Sequence, residues 1–222
     1  MRKKSLIVFD IDGTLTDSVK AHQKAFRETL FQIGVSEINS EFKSFKHHTD
    51  SFIAKEIYEQ NQNEPFSRER AELFEKGLTE RIKLTSFREI RGAKSLLDTL
   101  ELDSEFGICY ATGSLRNAAK HKLNSIGIQY EDWQLVASDR IYERENILRK
   151  AILNSSKHYD VETFDRIISV GDGLWDLLTA KNLKIEFIGV GEKNKEVLMQ
   201  NGAKLIVRDL QELTFNGNYH LI

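Results

Sequence analysis

Two aspartates separated by one residue follow the first apolar run of the chain. Asp10 and Asp12 come directly after residues 6–9, and Gly13 and Thr14 follow them. Side chains two residues apart in an extended chain project the same way, and Gly13 allows a tight backbone turn beside a ligand. Ligands of open parallel sheets bind beyond the carboxyl ends of the strands, so this loop is a candidate site of chemistry. The alternative is an ordinary turn rich in Asp and Gly.

A second polar loop follows the apolar run at residues 106–111. It contains Thr112, Gly113 and Ser114, and a helical pattern begins after it. A hydroxyl, a glycine amide and a helix N-terminus together favour the binding of an anion. The alternative is that Ser114 only caps the helix.

Two more aspartates, Asp172 and Asp176, lie one helical turn apart behind the apolar run at residues 166–170. As an isolated pair they would be an N-cap and a first-turn acid. All four aspartates follow strands of one predicted sheet, so we expect Asp10, Asp12, Asp172 and Asp176 to converge. Four unpaired carboxylates at close range repel one another unless a cation lies between them. Oxygen ligands without neighbouring His or Cys indicate Mg²⁺.

The elements that must position these loops are short strands. Six apolar runs without polar alternation are typical of strands buried on both faces of a parallel sheet. They lie at residues 6–9, 106–111, 134–137, 166–170, 185–190 and 204–207. Helical patterns lie between most of them, at residues 115–126 and 193–201 for example, each followed by a glycine. This alternation predicts an α/β fold with a doubly wound, Rossmann-like parallel sheet.

Residues 17–89 interrupt the alternation and contain no convincing strand. Apolar side chains recur there at helical spacing, first at Val19, Phe26, Leu30 and Ile33. Pro65, the one proline of the chain, falls between the last two helical patterns. We therefore predict a helical cap at residues 17–89, inserted after the first strand of a Rossmann-like core at residues 1–16 and 90–222.

Composition limits the classes of function. The chain has 222 residues with 32 basic and 34 acidic side chains, a net charge of −2, which argues against a nucleic-acid partner. No apolar run approaches the roughly 18–20 residues that a bilayer span needs. The single cysteine, Cys109, excludes an internal disulfide and a Cys-based zinc site. We expect a soluble cytoplasmic protein without membrane or nucleic-acid partners, as a monomer or homodimer.

Taken together, the motifs resemble those of the haloacid dehalogenase superfamily, in the branch of phosphatases and β-phosphoglucomutases with a small helical cap. Residues 10–14 match the first motif, Thr112 matches the second, and residues 171–176 match the fourth. The resemblance covers essentially the whole chain and extends to residues 202–210, which are similar to the closing strand and loop of the family.

The resemblance implies a role for each of these residues. Asp10 would be the nucleophile that forms an aspartyl-phosphate, and Asp12 would be the general acid and base. Mg²⁺ would be held by Asp10, the backbone carbonyl of Asp12, and Asp172, with Asp176 as a further ligand or as support for the ligands. The residues expected to bind the phosphate are Gly13, Thr14, Thr112, Gly113 and Arg144. The dehalogenating branch lacks an acid at the position of Asp12, so we do not expect a dehalogenase.

The third motif of the family, a cation behind the phosphate, departs from the common pattern. That pattern is a Lys followed by a Pro-rich stretch, and no proline follows Pro65. Arg144, placed just before a helix predicted to begin at about Glu145, fits a related subgroup in which Arg replaces Lys. We expect Arg144 and Thr112 to complete the catalytic set, with Arg140 as the alternative cation.

The leading prediction is a Mg²⁺-dependent phosphatase that hydrolyses a small phosphorylated metabolite through an aspartyl-phosphate. The alternatives are a β-phosphoglucomutase-like phosphomutase, which shares Asp10 and Asp12, and an inactive module that binds a phosphorylated ligand. Specificity should come from the cap, and Trp175 should pack against the cap or the sheet. One segment of the cap has two interpretations. Its residues reach inward to the site, or they form a helix cap and a solvated loop; they are His47, His48, Thr49 and Asp50.

Overall fold

Six parallel strands form the central sheet. The computed structural model describes residues 3–38, 45–103, 105–216 and 218–221. The strands are β1 (Ser5–Phe9), β2 (Phe106–Ala111), β3 (Leu135–Val136), β4 (Arg166–Gly171), β5 (Glu186–Val190) and β6 (Ile206–Val207). Their order across the sheet is β3-β2-β1-β4-β5-β6, and every neighbouring pair is parallel. The predicted Rossmann-like α/β fold is confirmed.

Strand β1 lies in the middle of the sheet, which explains its unbroken apolar sequence. All five of its residues are buried, and Phe9 pairs with Tyr110 of β2 on one side and with Val170 of β4 on the other. Because these three strands run in parallel and in register, their carboxyl ends meet at one edge. The loops that begin at Asp10 and Thr112 are therefore neighbours in space, as is the loop after β4.

Three helices form the cap, which we define as residues 17–89: α1 (Val19–Gln32), α2 (Asp50–Gln62) and α3 (Arg68–Lys83). They enclose an apolar cluster, which Leu115 and Ala118 of the core also join, and in it the rings of Phe26 and Phe74 meet edge-on at 5.0 Å. Pro65 lies between α2 and α3, where the sequence predicts a turn. Residues 39–44 of the predicted cap lie outside the described residues.

The two chain segments that connect cap and core run side by side. The amide of Asp17 donates to the carbonyl of Arg88 at 2.9 Å, and the amide of Ile90 donates to the carbonyl of Leu15 at 2.8 Å. This short ladder ties the entry of the cap to its exit. The limits of the two domains stay a prediction.

Helices cover both faces of the sheet. They are α4 (Ala93–Leu102), α5 (Arg116–Ser125), α6 (Arg144–His158), α7 (Leu174–Leu183) and α8 (Lys195–Gln200). Ile7 and Phe9 of β1 share an apolar cluster with α4 and α5, whereas Leu6 and Val8 share one with α6. This alternation of faces is the period of two that a strand imposes.

The sequence does not predict a β-hairpin that follows the last strand of the sheet. Strands β7 (Leu213–Asn216) and β8 (Asn218–Leu221) pair as an antiparallel hairpin outside the main sheet. Phe215 of this hairpin packs against Phe106 of β2, with 5.5 Å between the ring centres. Strands of four residues are too short to show a clear hydrophobic period.

Throughout the described part of the chain, every helix is too short or too polar to cross a lipid bilayer.

Candidate active site

Asp10 directly follows the central strand, and both oxygens of its carboxylate accept hydrogen bonds. Its backbone amide donates to the carbonyl of Val170 at 2.9 Å, which continues the β1–β4 pairing by one residue. Thr14 Oγ1 donates to Asp10 Oδ2 at 3.4 Å, and Arg144 Nη2 donates to Asp10 Oδ1 at 3.3 Å. The residue is only 6% exposed. The carboxylate is therefore fixed in orientation at the edge of the sheet where ligands bind.

Three of the four predicted aspartates form one acidic cluster. Asp10, Asp172 and Asp176 each offer an oxygen, and these oxygens lie within 4.8 Å of one another. Burial and the charge of Asp176 raise the pKa of Asp10 well above its usual value. Burial, then the charges of Asp176 and Asp12, raise the pKa of Asp172 to about 7. The cluster holds more negative charge than its surroundings neutralise, and its all-oxygen donor set fits Mg²⁺.

Gly13 makes this close approach possible. It adopts a φ of +85°, and a Cβ at this position would lie 2.4 Å from Asp172 Oδ2. Any side chain would therefore push Asp172 out of the cluster, in addition to straining the backbone. The glycine of the first motif thus sets the distance between the β1 and β4 loops.

Arg144 supplies a positive charge beside Asp10 and Asp176. Glu143 is the cap residue of α6, so Arg144 is its first helical residue, one position earlier than the sequence predicts. Its guanidinium, 10% exposed, bonds to Asp10 and to Asp176. Arg140 is exposed. The structure therefore places Arg144, and not Arg140, among the site carboxylates.

The Asp12 side chain does not join the acidic cluster. Its carboxylate accepts hydrogen bonds from Ser114 Oγ at 2.6 Å and from Lys122 Nζ at 2.6 Å, and it also bonds to Ser18. Burial raises its pKa, but the charge of Lys122 and the hydrogen bonds from Lys122 and Ser114 outweigh burial and leave the pKa below its usual value. The expectation that all four carboxylates converge is therefore wrong for Asp12, because Lys122 draws it aside. The role of its backbone carbonyl stays a prediction.

Sequence reasoning missed Lys122, and its alternative interpretation of Ser114 as a helix cap is wrong. The residue before the first turn of α5 is Leu115, and Ser114 turns its hydroxyl to Asp12 instead of capping the helix. A signal for Lys122 was available. It follows Ala118 and Ala119 by four and three residues, so it falls on the buried face of α5, where a lysine needs a partner.

The β2 loop brings a hydroxyl, a glycine and the cap together. Thr112 Oγ1 accepts a hydrogen bond from the amide of Ser114 at 3.1 Å, which leaves its own hydroxyl proton to donate to a ligand. A Cβ on Gly113 would lie 2.5 Å from the carbonyl oxygen of His48 and 2.6 Å from Arg144 Nη1. The missing side chain of Gly113 is therefore what lets the cap approach Arg144.

The segment before α2 reaches inward to the core. Thr49 Oγ1 donates to the carbonyl of Tyr142 at 2.8 Å, and the amide of Asp50 donates to the carbonyl of Gly113 at 2.8 Å. His48 stacks on Trp175, with 4.7 Å between ring centres and 22° between planes. The interpretation of a solvated loop is therefore wrong for these residues, although Thr49 is the N-cap residue of α2 as the helix-cap alternative predicts. Trp175 packs against the cap.

A cavity of about 540 Å³ lies between the cap and the core. Asp10, Thr112, Arg144 and Asp172 line its core side, and His22 and His48 are among the residues that line its cap side. This volume falls in the usual range for sites that bind small molecules.

A sequence model of the haloacid dehalogenase-like hydrolases matches residues 7–190. The chain belongs to this family. The matched range spans residues 10–14, Thr112, Arg144 and residues 171–176, and the match confirms the prediction of a hydrolase of the haloacid dehalogenase superfamily. No curated protein matches the chain in sequence.

Solved structures share the fold of this haloacid dehalogenase-like hydrolase over nearly its whole length. A hydrolase from Pseudomonas syringae is 24% identical, with a TM-score of 0.65 and coverage of 93% of this chain and 96% of that one. CbbY from Rhodobacter sphaeroides in complex with phosphate is 17% identical, with a TM-score of 0.71 and coverage of 96% of both chains. A β-phosphoglucomutase from Clostridium difficile is 22% identical, with a TM-score of 0.68 and coverage of 96% and 94%.

The His48 ring should stay neutral in mildly acidic solution. Burial, then the charges of Arg144 and His47, lower its pKa from 6.5 to about 4. Between these values the unfolded chain binds a proton that the folded chain does not, so this residue makes the protein less stable as the pH falls from 6.5. We expect the thermal midpoint of the wild type to fall more between pH 7 and pH 5 than that of His48→Gln. An NMR titration that places the His48 pKa near 6.5 in the free protein would contradict this.

Proposed function

We propose that this protein is a Mg²⁺-dependent phosphatase that hydrolyses a small phosphorylated metabolite through an aspartyl-phosphate at Asp10. The observation that carries the proposal is the setting of Asp10. This carboxylate directly follows the central strand, is bound by Arg144, adjoins two further carboxylates and lines the cavity under the cap.

The charge of a phosphate monoester explains why these residue types are needed. A phosphate repels the carboxylate that must attack it unless fixed positive charge surrounds both groups. Arg144 already bonds to Asp10, and its remaining N–H groups can bind phosphoryl oxygens. Mg²⁺ would be held by Asp10, the Asp12 carbonyl and Asp172, with Asp176 beside them, and it would supply the rest of the positive charge.

The chemistry follows in two displacements at phosphorus. A carboxylate oxygen of Asp10 forms a bond to phosphorus while the bond to the leaving oxygen breaks. Asp12 gives that oxygen a proton, which Asp12 must first take up, because Lys122 and Ser114 hold its pKa below the usual value. Asp12 then takes a proton from a water molecule, whose oxygen attacks the phosphorus and releases phosphate and the free Asp10 carboxylate. The Thr112 hydroxyl, whose proton is free to donate, and the Gly113 backbone beside it would orient the phosphoryl oxygens.

A small substrate fits the space under the cap. The cavity of about 540 Å³ is far larger than a phosphate alone, so most of it is left for the leaving group. The neighbouring structure of CbbY holds phosphate, and a second CbbY structure holds xylulose-(1,5)bisphosphate.

We also place the enzyme in the cytoplasm, since its single cysteine, Cys109, is buried and free.

Asp10→Asn is the first test. The amide keeps the shape of the side chain but cannot form the acyl-phosphate, so we expect phosphate release from p-nitrophenyl phosphate with Mg²⁺ to be abolished. Circular dichroism and the thermal midpoint should show a folded protein. Substantial turnover by a variant preparation free of wild-type enzyme would contradict the role of Asp10.

The same assay separates the other candidates. A phosphatase releases phosphate continuously from a monoester without a bisphosphate activator, and EDTA stops the release. A phosphomutase would instead need a hexose bisphosphate and return an isomerised sugar phosphate. A binding module would release no phosphate under either condition.

Arg144→Ala, compared with Arg140→Ala, tests the third-motif cation. Arg144 bonds to Asp10, so its loss should weaken vanadate binding and lower kcat/KM at least about tenfold, on the order of 1.4 kcal/mol. Arg144→Lys should recover part of this loss because the charge survives without the planar fork. Arg140→Ala, at an exposed position, should match the wild type. The reverse pattern for the two alanine variants would move the motif to Arg140.

A further inference from the structure

The side chain of Lys122 is fully buried, and no step of the proposed reaction involves it. It lies on α5 with 0% of its surface exposed. Its ammonium contacts Asp12 Oδ1 at 2.6 Å, Ser114 Oγ at 2.9 Å and His22 Nδ1 at 2.9 Å. A buried ammonium is costly unless each of its protons is bonded. These three partners match its three N–H donors.

The hydrogen bonds of Lys122 fix the orientation of the next side chains. A lysine ammonium only donates, so His22 Nδ1 accepts and His22 Nε2 carries the ring proton. His22 Nε2 then donates to Asp50 Oδ1 at 2.9 Å, and Asp50 Oδ2 accepts the amide proton of Leu115 at 2.9 Å. An unbroken chain of hydrogen bonds with assigned donors thus runs from Asp12 to Asp50.

This chain crosses between the two parts of the molecule. Asp12 and Lys122 belong to the core, whereas His22 lies on α1 of the cap and Asp50 is the first residue of α2. Asp50 also bonds to the core through its own amide, which donates to the carbonyl of Gly113 at 2.8 Å. The four side chains that bond in sequence from Asp12 to Asp50 therefore both hold the Asp12 carboxylate and join the cap to the core.

We propose that Lys122 is a positioning residue for Asp12, and that the Lys122–His22–Asp50 chain couples the placement of Asp12 to the docked position of the cap. The inference rests on the proposed function, in which Asp12 protonates the leaving group. Lys122 is not among the residues that line the cavity, so it acts through Asp12 and not on the substrate. Asp12 without this contact would lose one of the three side chains that hold its carboxylate.

Lys122→Met tests the first half of the proposal because it keeps the length of the side chain and removes its charge. A misplaced Asp12 impairs protonation of the leaving oxygen, which an alkyl phosphate needs much more than p-nitrophenyl phosphate does. In single-turnover reactions with excess enzyme, we expect phosphoryl capture to slow at least about tenfold more for the alkyl ester. The affinity for vanadate, which reports on the Asp10 side of the site, should stay near the wild-type value.

Lys120→Met is the matched control for that variant. Lys120 lies on the same helix, with a partly exposed side chain that pairs with the exposed Asp132 at 3.1 Å. Its ion pair with Asp132 involves none of the four hydrogen-bonded side chains Asp12, Lys122, His22 and Asp50. We expect both substrates to react with Lys120→Met as they do with the wild type.

Asp50→Asn tests the cap end of the chain without a change of volume. If the Asn oxygen accepts from the amide of Leu115, its NH₂ group faces the ring proton of His22, and two donors then oppose each other. We expect the same selective loss on the alkyl ester, smaller than in Lys122→Met. The double variant should lose little more than Lys122→Met alone, since both changes break one chain.

Asp139→Asn is the matched control for Asp50→Asn. Asp139 Oδ1 accepts the amide proton of Arg116 at 3.0 Å, so this variant also removes a charge from the start of α5. It leaves His22 and Lys122 untouched and should behave as the wild type does. A general effect of charge at the start of the helix would instead affect both variants.

The outcomes separate this inference from the proposed function. A wild-type enzyme that releases no phosphate overturns the proposed function and the inference with it. An active wild type with unchanged or equal losses on the two esters in Lys122→Met overturns only the positioning role. If Lys122→Met does not fold, the reaction of Asp50→Asn with the two esters tests the proposal in its place. A selective loss on the alkyl ester, absent from Asp139→Asn, supports the proposal, and wild-type kinetics for Asp50→Asn overturn it.

Discussion

Buried carboxylates repel one another, and this constraint organises the site. Parallel strands deliver Asp10, Asp172 and Asp176 to one edge of the sheet, where their oxygens lie within 4.8 Å of one another. Arg144 bonds to two of these three carboxylates. Asp12 is kept out of the cluster by a second buried cation, Lys122. The two cations thus divide four carboxylates into a cluster of three beside Arg144 and a single residue beside Lys122.

The cap completes the site through backbone and side-chain contacts with the same loops. Gly113 lies where the cap, Arg144 and the β2 loop meet, and it accepts the amide proton of Asp50. The His48–Trp175 stack connects the cap to the loop after β4. Because these contacts end on residues next to the acidic cluster, the position of the cap and the geometry of the carboxylates are not independent.

Local patterns predicted the parts of the site that depend on local structure. The loops after β1, β2 and β4 follow from short apolar runs and glycines, and Arg144 follows from the family resemblance together with its place before a helix. Lys122 could not be assigned in the same way, because its partner Asp12 is 110 residues distant in sequence. Ser114 fitted the pattern of a helix cap, and only the fold reveals that Asp12 competes for its hydroxyl. Long-range pairing of polar groups, and not secondary structure, is what sequence reasoning lacked.

The central claim is that the Asp10 carboxylate becomes covalently phosphorylated during turnover. The most direct measurement is borohydride reduction of the enzyme, quenched while it turns over p-nitrophenyl phosphate with Mg²⁺, followed by mass spectrometry of its peptides. An acyl-phosphate is reduced to an alcohol, so the account predicts homoserine at position 10 only when substrate and Mg²⁺ are both present. Turnover that proceeds with Asp10 unmodified, or with the reduced residue at another aspartate, would contradict it.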